Sequence, residues 1–140
     1  MREQHARLIL HDLYSSWEGS DLFGTLSYFA PSAVFAVHAT EGASLIGAGK
    51  GLNDLGNRLE EFLQRVEVRE FKLLQVVSKG LWTQSRAYFR YRHRNGNMEV
   101  DGTMRHLWKF TGDEVAHFEL FHDSQCMRAF YAMAALESAA

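Results

Sequence analysis

RAYFRYRHRNGNMEVDGTMRHLWKFTGDEVAHFELFHD, residues 86–123, carries two turn signals that fix which side chains face each other across a sheet. Asn95-Gly96 reads as a two-residue hairpin turn and Gly112-Asp113 as a second. Counting back from the first sets Arg92 opposite Glu99 and Arg90 opposite Asp101, two opposite-charge pairs on one face. The other face then carries Ala87, Phe89 and Tyr91 against Met104, Gly102 and Val100. Counting back from the second sets Trp108 opposite His117, His106 opposite Glu119, and Met104 opposite Phe121. Side chains alternate with period two, so His106, His117 and Glu119 are expected on the apolar face. A histidine–carboxylate pair in an aromatic and aliphatic surface costs stability unless it is paired, and its placement there predicts a pocket.

The 140 residues suit one domain, and 46% hydrophobic content is enough to close a sizeable core. A formal net charge of -2, with basic residues never in a contiguous block, gives no nucleic-acid footprint. The single cysteine, Cys126, excludes an internal disulfide and fits a reducing compartment. The opening MREQHARLILHDLYSSW lacks the apolar stretch of a signal peptide, and no segment approaches the roughly 20 apolar residues of a spanning helix. The expectation is a soluble cytoplasmic protein without a membrane partner. Ten Phe, five Tyr and three Trp supply rings that can line a pocket for an apolar or aromatic ligand.

Ala6, Ile9, Leu10, Leu13, Tyr14 and Trp17 recur at helical spacing from Glu3 to Glu18. Asp21 is a fitting N-cap for a short second helix through Phe29, which Pro31 closes. Ala33 to His38 reads as a strand, and the glycine-rich Ala39 to Gly51 as a loop. Leu52, Leu55, Leu59, Phe62, Leu63 and Val66 form the stripe of a third helix. Strands follow at Glu67–Ser78, Leu81–Arg94, Asn97–Thr111 and Glu114–His122, and Ser124–Leu136 reads as a helical tail. Helices first and strands after give an α+β class: a cone-shaped, curved antiparallel sheet wrapped over three helices. On the outer sheet face, Tyr88, Arg90 and Arg92 opposite Thr103, Asp101 and Glu99 suit either homodimerisation or plain solvation.

The segment LYSSWEGSDLFGTLSYFAPSAVF resembles the opening of the nuclear-transport-factor-2-like superfamily, in its ketosteroid-isomerase-like and SnoaL-like (polyketide cyclase) branch. Gly47 to Gly51 before the third helix, the closing GTMRHLWKFTGDEVAHFELFHD and Asp123 before the tail extend the match along nearly the whole chain. The resemblance implies a deep apolar pocket between helices and sheet, serving isomerases, dehydratases, cyclases, epoxide hydrolases and non-catalytic binding modules alike. It puts Tyr14 within one position of the ketosteroid isomerases' helix-one tyrosine. It sets Val37-His38 near the place of their base, where there is no carboxylate, and His106 at the place of their sheet aspartate. The Asp–Arg–Asp set of limonene-type epoxide hydrolases fails here, since Arg90, Arg92 and Asp101 count to the outer face and Leu120 takes the second aspartate's place. Histidine–acid pairs, as in the SnoaL-like cyclases, are the nearest match in residue type.

Two readings of the pair stand: His106, charged and oriented by Glu119, forms a site with His117 as a donor and Tyr14 and His38 as oxyanion partners, or His106–Glu119 is a satisfied structural pair bracing two strands. Trp17, Phe35, Phe89, Tyr91, Met104, Trp108 and Phe121 form the walls of the expected site. No cofactor and no metal is implied. Two functions fit: cofactor-independent acid–base catalysis (isomerase, cyclase or dehydratase) on a small, largely apolar molecule, or a module that binds such a molecule or dimerises. Gly47-Ala-Gly-Lys50-Gly lacks the spacing of a phosphate loop and reads as a rim over the pocket mouth. Cys126 reads as a packed thiol, Met127 and Met133 as packing, and Arg69, Glu70 and Lys72 as solvated charges around an inward Phe71.

Overall fold

A computed structural model describes residues 2–38, 47–96 and 98–121. The expected tail helix, with Cys126, Met127 and Met133, and the strand-end pair His122-Asp123 lie outside them. Three helices and six strands follow in the order α1 (Glu3–Glu18), α2 (Leu22–Leu26), β1 (Phe29–His38), β2 (Ala48–Lys50), α3 (Leu52–Arg65), β3 (Val66–Lys79), β4 (Trp82–His93), β5 (Glu99–Thr111) and β6 (Glu114–Phe121). The strands form one curved, open sheet in the order β2-β1-β6-β5-β4-β3. Register shifts in β3 between Val68 and Glu70 and between Leu73 and Gln75 supply local bends.

Three expectations change. The sheet is mixed, because β1 runs parallel to β6, pairing Val34 with His117 and Ala36 with Glu119. The second helix stops at Leu26, although Asp21 caps it as expected through the Gly24 N–H at 2.9 Å. Phe29 and Pro31 fall in β1 instead, where the fixed φ of proline is compatible with an extended strand. The glycine-rich loop contains β2, which pairs antiparallel with β1. Gly49 is glycine because a Cβ there would collide with the Asp54 carboxylate and meet the Phe35 ring at 2.7 Å. Gly51 turns the chain into α3 at a φ of 95°.

One sheet face packs against the helices. Ala6, Leu10, Leu13, Tyr14 and Trp17 of α1 and Leu55, Leu59 and Phe62 of α3 meet Phe35, Phe71, Ala87, Phe89, Tyr91, Met104 and Trp108. Glu18, at the end of α1, clamps that helix to β3 by accepting the Phe71 N–H at 2.8 Å and the Lys72 ammonium at 2.9 Å. Partial burial alone raises a carboxyl's pKa, yet these two donors outweigh it and hold Glu18 below the usual carboxylate range. A depressed folded-state pKa gives stability that is complete above the ordinary carboxylate value of about 4.3 and lost as pH falls through the folded value. Thermal midpoints measured from neutral pH down to about pH 3 are therefore expected to fall less in Glu18→Gln than in the parent. At neutral pH the variant loses about 1 kcal/mol or less, because the pair is partly solvated. Parallel pH profiles for the two proteins would remove the clamp.

Candidate functional site

The first hairpin has the register its turn implies, with Arg92 opposite Glu99, Arg90 opposite Asp101 and Phe89 opposite Gly102. The second begins as expected, pairing Thr111 with Glu114 and Phe110 with Val115 around a Gly112 at φ 61°. It then shifts by one residue, so that Lys109 faces His117, Trp108 faces Phe118, Leu107 faces Glu119 and His106 faces Leu120. Ala116 is the extra residue of the resulting bulge. A one-residue slip carries a strand's whole side-chain set to the opposite face. Phe118 and Leu120 thereby turn inward, and His117 and Glu119 turn outward. The driving force is simple: two large apolar side chains enter the core in place of an imidazole and a carboxylate.

The expected His106–Glu119 pair is therefore absent. Glu119 instead bonds His38 across the β1–β6 seam at 2.8 Å and lies 3.3 Å from His117, all three on the outer face. The hydrogen bond from His38 holds the Glu119 carboxyl below its usual range, against the opposing effect of partial burial. Phe121 is on that face too, its ring stacked on His38 at 4.7 Å. Among the described residues no group of three His, Cys, Asp or Glu side chains is placed to hold a metal ion.

Inside, His106 has a different partner. Its Nδ1 lies 2.6 Å from the Tyr14 hydroxyl, which is also 2.6 Å from Ser85 Oγ. The Trp108 indole N–H donates to that same Oγ at 2.8 Å. An indole only donates, and each hydroxyl has one hydrogen to give. The arrangement that uses every donor within the set runs Trp108 N–H to Ser85, Ser85 O–H to Tyr14, and Tyr14 O–H to His106 Nδ1. It leaves the imidazole proton on Nε2. Burial pushes the Tyr14 phenol far above the usual tyrosine range, although its hydrogen bond with Ser85 pulls the other way. Tyr14 thus keeps its proton at any physiological pH. The sheet positions the set: Ser85 and His106 are directly opposite on β4 and β5, and Tyr14 reaches them from α1.

The His106–Tyr14 end of this relay opens on a cavity of about 60 Å³. Leu13, Trp17, Leu55, Leu59, Phe62, Phe71, Tyr91, Trp108, Phe118 and Leu120 enclose it, with Thr25 and Phe29 from α2 and β1. Trp17 donates to the Tyr91 hydroxyl at 3.3 Å, and burial raises the Tyr91 phenol as well. Of the expected site residues, Tyr14, His106, Trp17, Tyr91 and Trp108 line this space. Phe35, Phe89 and Met104 are buried in the core but do not line it, and His38, His117, Glu119 and Phe121 are on the far side of the sheet. The inward Phe71 is as expected. Ser85 is not among the expected site residues, although the first hairpin's own count places it on the inner face opposite His106. Phe118 and Leu120 were missed with the bulge.

No protein-family model and no curated protein matches the chain. Solved structures do. An NTF2-like protein from Burkholderia thailandensis superposes with a TM-score of 0.73 at 18% identity, covering 95% of this chain and 98% of that one. A protein of ketosteroid isomerase-like fold from Catenulispora acidiphila, in complex with trimethylamine, gives 0.70 at 14%, covering 81% and 84%. A SnoaL-like polyketide cyclase candidate from Mesorhizobium loti gives 0.67 at 12%, covering 84% and 98%. Among the described residues no helix is long and apolar enough to cross a membrane. The sheet order, the helices on its inner face and these superpositions together give the chain the nuclear-transport-factor-2-like fold, shared with ketosteroid isomerase-like and SnoaL-like proteins.

Proposed function

We propose that this chain takes a compact, largely apolar molecule into the aromatic cavity and presents its one polar group to the Tyr14–His106 pair. The buried relay from Trp108 through Ser85 and Tyr14 to His106 carries this reading. It supplies a phenol that stays protonated beside an imidazole nitrogen, which is an acid–base couple facing an otherwise apolar space. Proton transfer on the bound molecule, of the isomerase, cyclase or dehydratase kind, is the chemistry such a couple serves. Plain binding is the alternative, and His106→Gln separates them: turnover on an identified ligand disappears while its affinity persists.

Size narrows the ligand. A cavity of about 60 Å³ is well below the roughly 150 Å³ that admits benzene and the roughly 300–1,000 Å³ of drug-sized sites. Trimethylamine, held by the Catenulispora acidiphila neighbour, belongs to the size class that fits. Trp17 and Trp108 line the space, so occupancy is readable by their fluorescence. Titrations with trimethylamine and with neutral alcohols of equal size are expected to change the signal in the parent. Leu59→Phe, which fills the cavity from α3, is expected to weaken binding at least about tenfold. A parent that binds none of these and copurifies with no small molecule would remove the ligand reading. Self-association is a separate reading, favoured by alternating charges on the outer face around Glu67, Arg92 and Glu99. Sedimentation over a range of concentrations decides it, and a monomer throughout excludes it.

A further inference from the structure

Among the described residues, every indole and hydroxyl hydrogen on the wall of the inner cavity has an acceptor except one. The Trp108 N–H goes to Ser85 at 2.8 Å, the Trp17 N–H to Tyr91 at 3.3 Å and the Thr25 O–H to the Asp21 carbonyl at 2.8 Å. Tyr14, in the relay, gives its hydrogen to His106. The exception is the Tyr91 O–H. Its oxygen accepts from Trp17, but its own hydrogen meets no acceptor among the described residues. Tyr91 is only 3% exposed, which shuts it off from bulk water, and burial holds the phenol in its protonated form. Its ring is wedged against Phe62, Phe71 and Phe89, at centroid distances of 5.4, 6.3 and 4.9 Å. A buried donor without an acceptor carries the full cost of its desolvation. Apart from the residues with polar atoms just described, the wall is leucine and phenylalanine, so an ordered water lacks the roughly two to four polar partners it needs.

We propose that Tyr91 sets the ligand class of this cavity: its O–H donates to an acceptor-only oxygen, of the ketone or ether kind, on a compact and otherwise apolar molecule. This rests on the ligand reading given above, and narrows it. The oxygen satisfies the hydrogen at Tyr91, and the hydrocarbon body meets the leucine and phenylalanine wall. An ammonium ion of equal size is the contrasting case. The rings attract a cation. Yet among the described residues no carboxylate lines the space to neutralise it, and its N–H groups leave the Tyr91 hydrogen without a partner.

Acetone, dimethyl sulfide and trimethylamine form the test series. Each presents methyl groups around one centre, but the first carries a strong acceptor, the second a very weak one, and the third is a cation at neutral pH. Their affinities for the full chain are read by nuclear magnetic saturation transfer from protein to ligand methyls. The parent is expected to bind acetone at least about tenfold more tightly than trimethylammonium. Tyr91→Phe should weaken acetone about threefold to tenfold, the worth of one neutral hydrogen bond, and leave dimethyl sulfide at parental affinity or tighter. Retained dimethyl sulfide shows that the variant folds. Should it not fold, tyrosine isotope-labelled at Cζ reads the same contact in the parent, where the Tyr91 signal should move farther with acetone than with dimethyl sulfide. Equal shifts, equal losses for acetone and dimethyl sulfide in Tyr91→Phe, undiminished acetone affinity in that variant, or trimethylammonium bound as tightly as acetone overturns the proposal. A parent that binds none of the three overturns the ligand reading itself, and the role of Tyr91 with it.

Discussion

Leu120→Asp is expected to cost about 3–5 kcal/mol, the penalty of an unpartnered charge forced into a core. Against a total stability of about 5–15 kcal/mol, that is a fifth of the whole at the least and all of it at the most. Glu119→Gln, one residue away, is expected to change stability by about 1 kcal/mol or less, because its ion pairs are partly exposed. The contrast follows from the bulge at Ala116, which turns Leu120 against the cavity and Glu119 out beside His38. An unbulged strand demands the reverse, with Glu119 structural and position 120 tolerant of charge. Urea midpoints of the two variants decide between the registers. A mild Leu120→Asp paired with a severe Glu119→Gln would restore the His106–Glu119 pair and displace the Tyr14–His106 relay.

Ser85→Ala carries the second large effect. The serine hydroxyl accepts the Trp108 indole N–H and bonds the Tyr14 hydroxyl, in a site only 1% exposed. Deleting it strands two buried polar groups at about 1–3 kcal/mol each, so a loss of about 2–4 kcal/mol is expected, far above the cost of trimming an oxygen from an ordinary surface. Tyr14→Phe leaves the indole satisfied but strands the Ser85 O–H and His106 Nδ1, and is expected to cost a comparable amount. Denaturant unfolding gives the energies, and the near-ultraviolet circular dichroism of Trp108 reports whether the ring has moved. A Ser85→Ala loss below about 1 kcal/mol would mean that water or rearrangement replaces the hydroxyl, and that the relay does not fix the tautomer of His106.

How much of this was legible depended on which residues spoke locally. Asn95-Gly96 set the β4–β5 register, because a short turn leaves little freedom and both faces of the hairpin agree with it. Gly112-Asp113 forms the turn its residues signal, but a turn specifies register only until the next irregularity. The corrective signal was present in β6 itself: Val115, Phe118 and Leu120 are the apolar residues that go inward, spaced three and then two. That spacing has no place in a regular strand and is natural in a bulged one. Tyr14, Trp17, Tyr91, His106 and Trp108 were readable as one cluster because helix periodicity and the first hairpin place them without help from β6. The parallel pairing of β1 with β6 was not readable, since it depends on backbone geometry between distant segments and on no residue type. Ser85 needed only the hairpin count and the question of why a hydroxyl stands on an apolar face.

The parallel seam also bears on how the chain reaches this state. Strands β3 to β6 form a meander of neighbours in sequence, closed by short turns that can zip locally. Strand β1 has no such neighbour in the sheet other than the short β2, and meets β6 at residues as distant as His38 and Glu119, 81 positions apart. Closing so long a loop costs little more entropy than closing one half as long, but it must be closed before any contact rewards it. The meander is thus the natural early structure and the seam the late one. Until β1 docks, the β6 edge stands open with its backbone groups unpaired, and a β1 strand from another molecule competes for it as protein concentration rises.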